Sequence, residues 1–210
     1  PIMVVVPESV ASIGLSADRV DEMVDKYRGF GAIKETTEME APLHKVALPE
    51  FKIGKYCVTN CEYSQYLEDT GALQQPTSLA PKEQFSLKAN HPVFTVSQKE
   101  AEGYCAWLSA KTGRAFRLPS ELEWELASSG NDKLEFPWGN QFQDGFANTL
   151  EAKLHTTTPI GMFPRGNSPF GVMDMAGNVE EHTSSSYLPY CHDGNEAHSL
   201  VNRNVVKGGS

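Results

Sequence analysis

Gly171-Val-Met-Asp-Met-Ala-Gly-Asn-Val-Glu-Glu181 is the stretch on which the reading of this 210-residue chain turns. Its glycines and asparagine interrupt any 3.6-residue apolar stripe, so no amphipathic helix runs through it. Oxygen donors recur instead: the Asp174 and Glu181 carboxylates, and the carbonyls of Gly177 and Val179. A compact loop of that kind suits a hard cation such as calcium, which takes about six to eight oxygen ligands. A polar turn feeding a buried strand explains the same residues, and local sequence leaves both readings open.

Around this stretch the composition is that of a globular protein long enough to bury a core. The net charge of −9 and the lack of a basic stripe argue against a nucleic-acid partner. No apolar run approaches the roughly 18 residues of a membrane span. A protein or small-molecule ligand is the expected partner. The chain opens at Pro1 with no charged segment followed by an apolar one, so no signal peptide is expected. Cys57, Cys61, Cys105 and Cys191 do not fall at zinc spacing, and Cys105 sits on a helical apolar stripe. Unpaired cysteines favour a reducing, cytoplasmic setting.

In chain order, Ile2–Val6 reads as a buried strand. Ser16 is placed to cap a helix with Val20, Met23, Val24 and Tyr27 on one face and Gly29 as its stop. Lys34–Glu40 reads as a loop, and His44–Pro49 and Phe51–Val58 as strands. Three helices follow from capping boxes: Thr59 with Glu62, Ser97 with Glu100, and Ser120 with Glu123. Gly71, Gly113 and Gly130 close them. Residues 72 to 92 form a loop and Pro92–Val96 a short strand. Beyond Gly130 turns dominate, with Thr158–Phe163 and Asn204–Lys207 as candidate strands. The fold class is therefore α+β, with helices mainly in the first 130 residues, small antiparallel sheets late, and one domain over 1–210.

An ordered set of segments resembles the formylglycine-generating enzyme, or sulfatase-modifying factor, family. It comprises Phe51-Lys-Ile-Gly-Lys-Tyr-Cys-Val-Thr-Asn60 with Tyr63, Arg117-Leu-Pro-Ser-Glu-Leu-Glu-Trp-Glu125, Pro137-Trp-Gly-Asn140, Ala147-Asn148, Pro159-Ile-Gly161, Gly171 to Glu181, and Arg203-Asn-Val-Val-Lys-Gly-Gly-Ser210. The resemblance implies a C-type lectin-like fold with little regular secondary structure and bound calcium. It also implies that the domain stands here without its C-terminal segment. Asp174, Gly177, Val179 and Glu181 match one of the family's calcium sites. Asn148 and Thr149 match a second, whose expected acidic ligand falls near Ala152 and is missing.

The family's enzymes bind copper through two cysteines just past the Gly-Gly-Ser segment, and the given sequence stops at Ser210. Soft Cu(I) needs such thiolates. The family's Trp-Glu-Trp wall is replaced by Glu180-Glu181-His182, so Glu180, His182 and Ser210 become candidate groove residues. His182, His192 and His198 could suggest a transition-metal site like that of related sulfoxide synthases, although exposed loop histidines are the simpler reading. Glu121, Glu123 and Glu125 point in different directions on a helix, and Trp124 suits core packing. The expectation is a non-catalytic recognition module with structural calcium. The alternative is a copper-dependent, formylglycine-generating or sulfoxide-synthase-like oxidoreductase whose cysteine tail lies outside the given sequence.

Overall fold

A computed structural model describes residues 1–79, 85–187 and 204–209, apart from the side chains of residues 30, 85 and 86. Its helices are α1 Val20–Tyr27, α2 Lys34–Glu38, α3 Asn60–Thr70, α4 Phe85–Lys88, α5 Gln98–Thr112 and α6 Glu121–Ser129. Its strands are β1 Met3–Val6, β2 Ser9–Ile13, β3 His44–Leu48, β4 Phe51–Gly54, β5 Glu181–Ser186 and β6 Asn204–Lys207. They pair antiparallel as β1–β4, β2–β3 and β5–β6, with an irregular register between His182 and Ser186. Among the described residues all the α-helices precede residue 130, as expected, and only two 3-10 turns, Leu150–Ala152 and Pro164–Gly166, follow it. Two of the three sheets, however, are built in the first 54 residues rather than late in the chain.

The three capping boxes form as the sequence predicts. In each, the hydroxyl accepts the N–H three residues on, and the glutamate returns a bond to the cap N–H, at 2.9, 2.7 and 2.8 Å in turn. Each cap is worth about 1 kcal/mol. The apolar faces so positioned fill two cores. One joins β1, β2 and their partners to α6 through Val6, Ile13, Leu48, Trp124 and Leu126. The other lies between α3 and α5, where Tyr63 stacks on Tyr104 at 5.7 Å.

Several expectations are corrected. Ser16 does not cap: its hydroxyl bonds Asp18, and a 3-10 turn over Ala17–Arg19 starts α1. Gly29 does not stop it either, because a second 3-10 turn carries the chain to Gly31 at φ +91°. The polar run after Ile33 is helical, since Thr36 and Thr37 bond the Ile33 carbonyl and Lys34 reaches Asp21 at 2.9 Å. β1 buries only Val6 fully, Ile2 being 64% exposed. Phe51–Val58 is extended only to Gly54. Within 72–92 lie a 3-10 turn at Thr77–Leu79 and α4. Pro92–Val96 makes one bridge to Thr59, because Thr95 takes φ +60° and breaks the extended run. Thr158–Phe163 is not a strand: the Thr158 N–H is taken by the Asn178 side chain.

Candidate functional site

The loop 171–181 is held by its own odd backbone. Asp174 and Asn178 sit at φ +63° and +69°, in the left-handed region where Asn and Asp are the tolerated side chains. Gly177 is required on steric grounds as well, since a Cβ there would meet the Asn148 carbonyl oxygen at 2.4 Å. Asn178 is the staple. Its side-chain oxygen accepts from the Thr158 N–H at 2.8 Å and from Asn148 Nδ2 at 3.2 Å, and its N–H donates to the Asn148 carbonyl at 2.8 Å. Sequence reading had assigned Asn178 no such task.

Asn148 and Thr149 are thus brought against Gly177. Asn148 Nδ2 donates to the Thr156 carbonyl at 2.9 Å, and the Thr149 carbonyl accepts the Ala152 N–H at 3.0 Å. Asn148 thus knits 148–158 to the loop, while Thr149 closes a local turn.

Asp174 and Glu181 carry the loop's charge. Asp174 is 9% exposed, and Oδ2 accepts the Gly161 N–H at 2.7 Å. Burial pushes its carboxyl above the usual range against the pull of that bond. Glu181 begins β5, and burial pushes its carboxyl up to about 7, with the Asp174 charge adding to the effect. The nearby Trp124 indole and Cys57 thiol pull it the other way. Burial likewise holds the Cys57 thiol well up, reinforced by the negative charges of Glu181 and Asp174. Among the described residues, no Lys, Arg or His side chain is paired with either carboxylate.

The calcium that the resemblance implies can be set against this donor set. A Cβ on Gly208, at φ +98°, would stand 3.2 Å from the Val179 carbonyl oxygen and 3.9 Å from Glu181 Oε1. Two of the expected ligands therefore face one small space that only glycine leaves open. The donors are hard oxygens, and the carboxylates are desolvated, which is the environment a cation relieves. Among the described residues, no three His, Cys, Asp or Glu side chains gather into a metal site. A cation here would need the backbone carbonyls as well.

Beside the loop lies a half-open cavity of about 880 Å³, walled by Cys57, Tyr63, Val96, Tyr104, Glu181 and His182 among others. A site of this size falls within the roughly 300–1,000 Å³ of small-molecule pockets. Glu180 and His182, two of the predicted groove residues, do line it. His182 Nε2 bonds the Val96 carbonyl at 2.9 Å. Ser210, like Cys191, His192 and His198, lies outside the described residues. Among the described residues, no helix is long and apolar enough to cross a membrane.

The comparisons with known proteins agree with this architecture. The family model of the sulfatase-modifying factor enzyme 1-like domain matches residues 8–210. Hercynine oxygenase of Mycolicibacterium smegmatis is 31% identical over 193 residues, 77% of this chain and 44% of that protein. The inactive C-alpha-formylglycine-generating enzyme 2 of Mus musculus is 39% identical, over 49% of this chain and 34% of that protein. The chain thus spans less than half the length of these curated relatives. The structure of PvdO from Pseudomonas aeruginosa superposes with a TM-score of 0.70 at 26% identity, over 100% of this chain and 82% of that one. Variable protein 1 of Treponema denticola shares the fold, at TM-score 0.61 and 18% identity, over 92% of this chain and 75% of that one. With its segments in order, its loop geometry in place and its match running over nearly all of its length, this chain belongs to the sulfatase-modifying factor enzyme 1-like family.

Proposed function

We propose that this chain is a non-catalytic recognition domain on the family scaffold, in which a calcium ion at the Asp174–Glu181 loop fixes one wall of a ligand cavity. The observation that carries the reading is the pair of desolvated carboxylates, Asp174 and Glu181, whose charge no cationic side chain answers among the described residues. Glu181 belongs both to that pair and to the cavity wall, so an ion there would set the cavity's shape. Asp174, Glu181 and the carbonyls of Gly177 and Val179 would hold it. The ion would supply structural charge balance, and the cavity residues would select a small molecule by shape and by a few polar contacts. Glu180 and His182 in place of the family's aromatic wall support recognition over oxidation.

Calcium in about hundred-fold excess over its dissociation constant should stabilise the fold by about 2.7 kcal/mol relative to chelator. Glu181→Ala should remove that difference, and coincident melting curves for the wild type would sink the cation reading. A second reading, an oxygenase, is favoured by the 31% identity to hercynine oxygenase across 77% of this chain. Oxygen uptake in the presence of hercynine, with iron or copper supplied, would establish it over the first.

A further inference from the structure

Arg114 and Arg117 stand on the segment that leaves α5, and both line the cavity. Their uses differ. Arg117 is spent on Glu123, which takes both guanidinium nitrogens at 2.7 and 2.6 Å. Arg114 is exposed and has no acidic partner among the described residues. Its backbone is nevertheless pinned on both sides. Gly113 closes α5 just before it, and just after it the Phe116 N–H donates to Ser109 Oγ at 2.8 Å. A fixed stretch of chain therefore carries an unanswered guanidinium at the open side of the cavity. The wall further in is aromatic and aliphatic, with Tyr63, Tyr104, Leu108 and Phe116, and Tyr63 and Tyr104 are almost wholly buried.

We infer that the cavity takes an apolar monocarboxylic acid, with its carboxylate on Arg114 and its hydrocarbon body against Tyr104, Leu108 and Phe116. The inference rests on reading the cavity as a ligand site and names the ligand class for it. A planar guanidinium matches a carboxylate through two parallel N–H···O bonds, while the apolar wall rewards burial of the body. One arginine answers one negative charge. A phosphate dianion would leave a second charge unanswered beside Glu50 and Glu180, which also line the cavity. The same two acids make an apolar amine the rival ligand. Lys52 weighs for the acid, because it lines the cavity too, exposed and without an acidic partner among the described residues.

The test titrates decanoate, decanamide and decylamine, alike in chain and different in head group, into the full chain by calorimetry. Decanoate should bind at one per chain and about tenfold tighter than either of the others. Added salt should weaken decanoate and leave decanamide unchanged. Arg114→Gln should erase the preference for the acid while keeping the affinity for decanamide, and an exposed position tolerates the change. Ala115→Trp, an exposed lining position, should fill the cavity and weaken all three. Equal affinity for decanoate and decanamide, or tighter binding of decylamine, would overturn the carboxylate assignment and leave the cavity standing as a ligand site. Decanoate binding that survives Ala115→Trp would put the acid elsewhere and overturn the inference. If none of the three binds while calcium still raises the melting temperature, the inference falls and the calcium-loop reading stands. Neither effect would overturn both.

Discussion

Two buried acidic groups in this molecule behave in opposite ways. On α6, Arg117 grips Glu123 through both guanidinium nitrogens at 2.7 and 2.6 Å. Lys207 reaches Glu121 at 2.8 Å, and Glu125 accepts the Gly14 N–H at 2.9 Å while pairing with Lys133. Arg117 pulls the Glu123 carboxyl down against the cost of burial. Burial alone would push Glu125 up, but Lys133 and Lys207 outweigh it and the carboxyl ends low. In the 174–181 loop the same burial goes unopposed by any cationic side chain among the described residues, and both carboxyls rise. Partner charge, not depth, decides the direction. The α6 cluster is an internal clamp, and the loop is the place where an outside cation would act.

The largest test of that contrast falls on Lys207. Its side chain is 14% exposed, and it joins β6 to Glu121 and Glu40. Lys207→Met should cost about 3–5 kcal/mol, because it strands the Glu121 carboxylate, whose side chain is only 13% exposed. Glu181→Gln, measured in chelator, should instead stabilise the fold, because it removes a desolvated charge. Denaturant midpoints on both variants check the pair. Losses of similar size in both would erase the distinction between clamp and loop.

Acid titration sharpens the same comparison at smaller amplitude. The Glu181 carboxyl is raised from 4.5 to about 7, so the folded state binds a proton more readily than the unfolded chain between those values. In chelator, stability should therefore rise as pH falls through that window, by on the order of 1–3 kcal/mol. Glu123 and Glu125 have the opposite sign. Their depressed carboxyls contribute stability that is fully present above the unfolded value and is lost as pH falls through the folded one. Chemical denaturation across the range should give a maximum in mildly acidic solution, and Glu181→Gln should flatten only the upper limb. A wild-type profile that falls steadily from neutral to acid pH would contradict the raised Glu181.

Much of the α-helical frame was legible in the sequence, because capping is local: Thr59, Ser97 and Ser120 each declare a helix start within four residues. The family likeness was legible from ordered segments, and with it the loop that closes on Asn178. What escaped was set by contacts distant in sequence. β2 carries Ser9 and Ser12 among its few apolar residues and is a strand because β3 pairs with it. The Thr158–Phe163 stretch looks extended until Asn178, twenty residues away, takes its backbone. Cys57 and Glu181, more than a hundred residues apart in the chain, come to line one cavity wall only through the fold. Likewise Trp124 was recognised as core, yet nothing in its local sequence announces that its indole stands beside the Glu181 carboxylate.

The finest test compares two capping boxes that differ only in their outside partner. Glu62 and Glu123 each return a bond to their cap N–H, at 2.9 and 2.8 Å, but only Glu123 also holds an arginine. Glutamine can fill the same box. Glu62→Gln should therefore change stability by less than about 0.5 kcal/mol. Glu123→Gln gives up the charge-assisted pairing with Arg117 while keeping the box. Arg117 is 65% exposed, and solvent screens the pair, so the loss should be only about 1 kcal/mol. Thermal unfolding of the two variants side by side reads the difference directly. Equal and negligible effects would mean that the box alone holds the start of α6 and that Arg117 adds nothing to the clamp. A clear gap would show that Arg117 stabilises the start of α6 beyond what the box alone supplies.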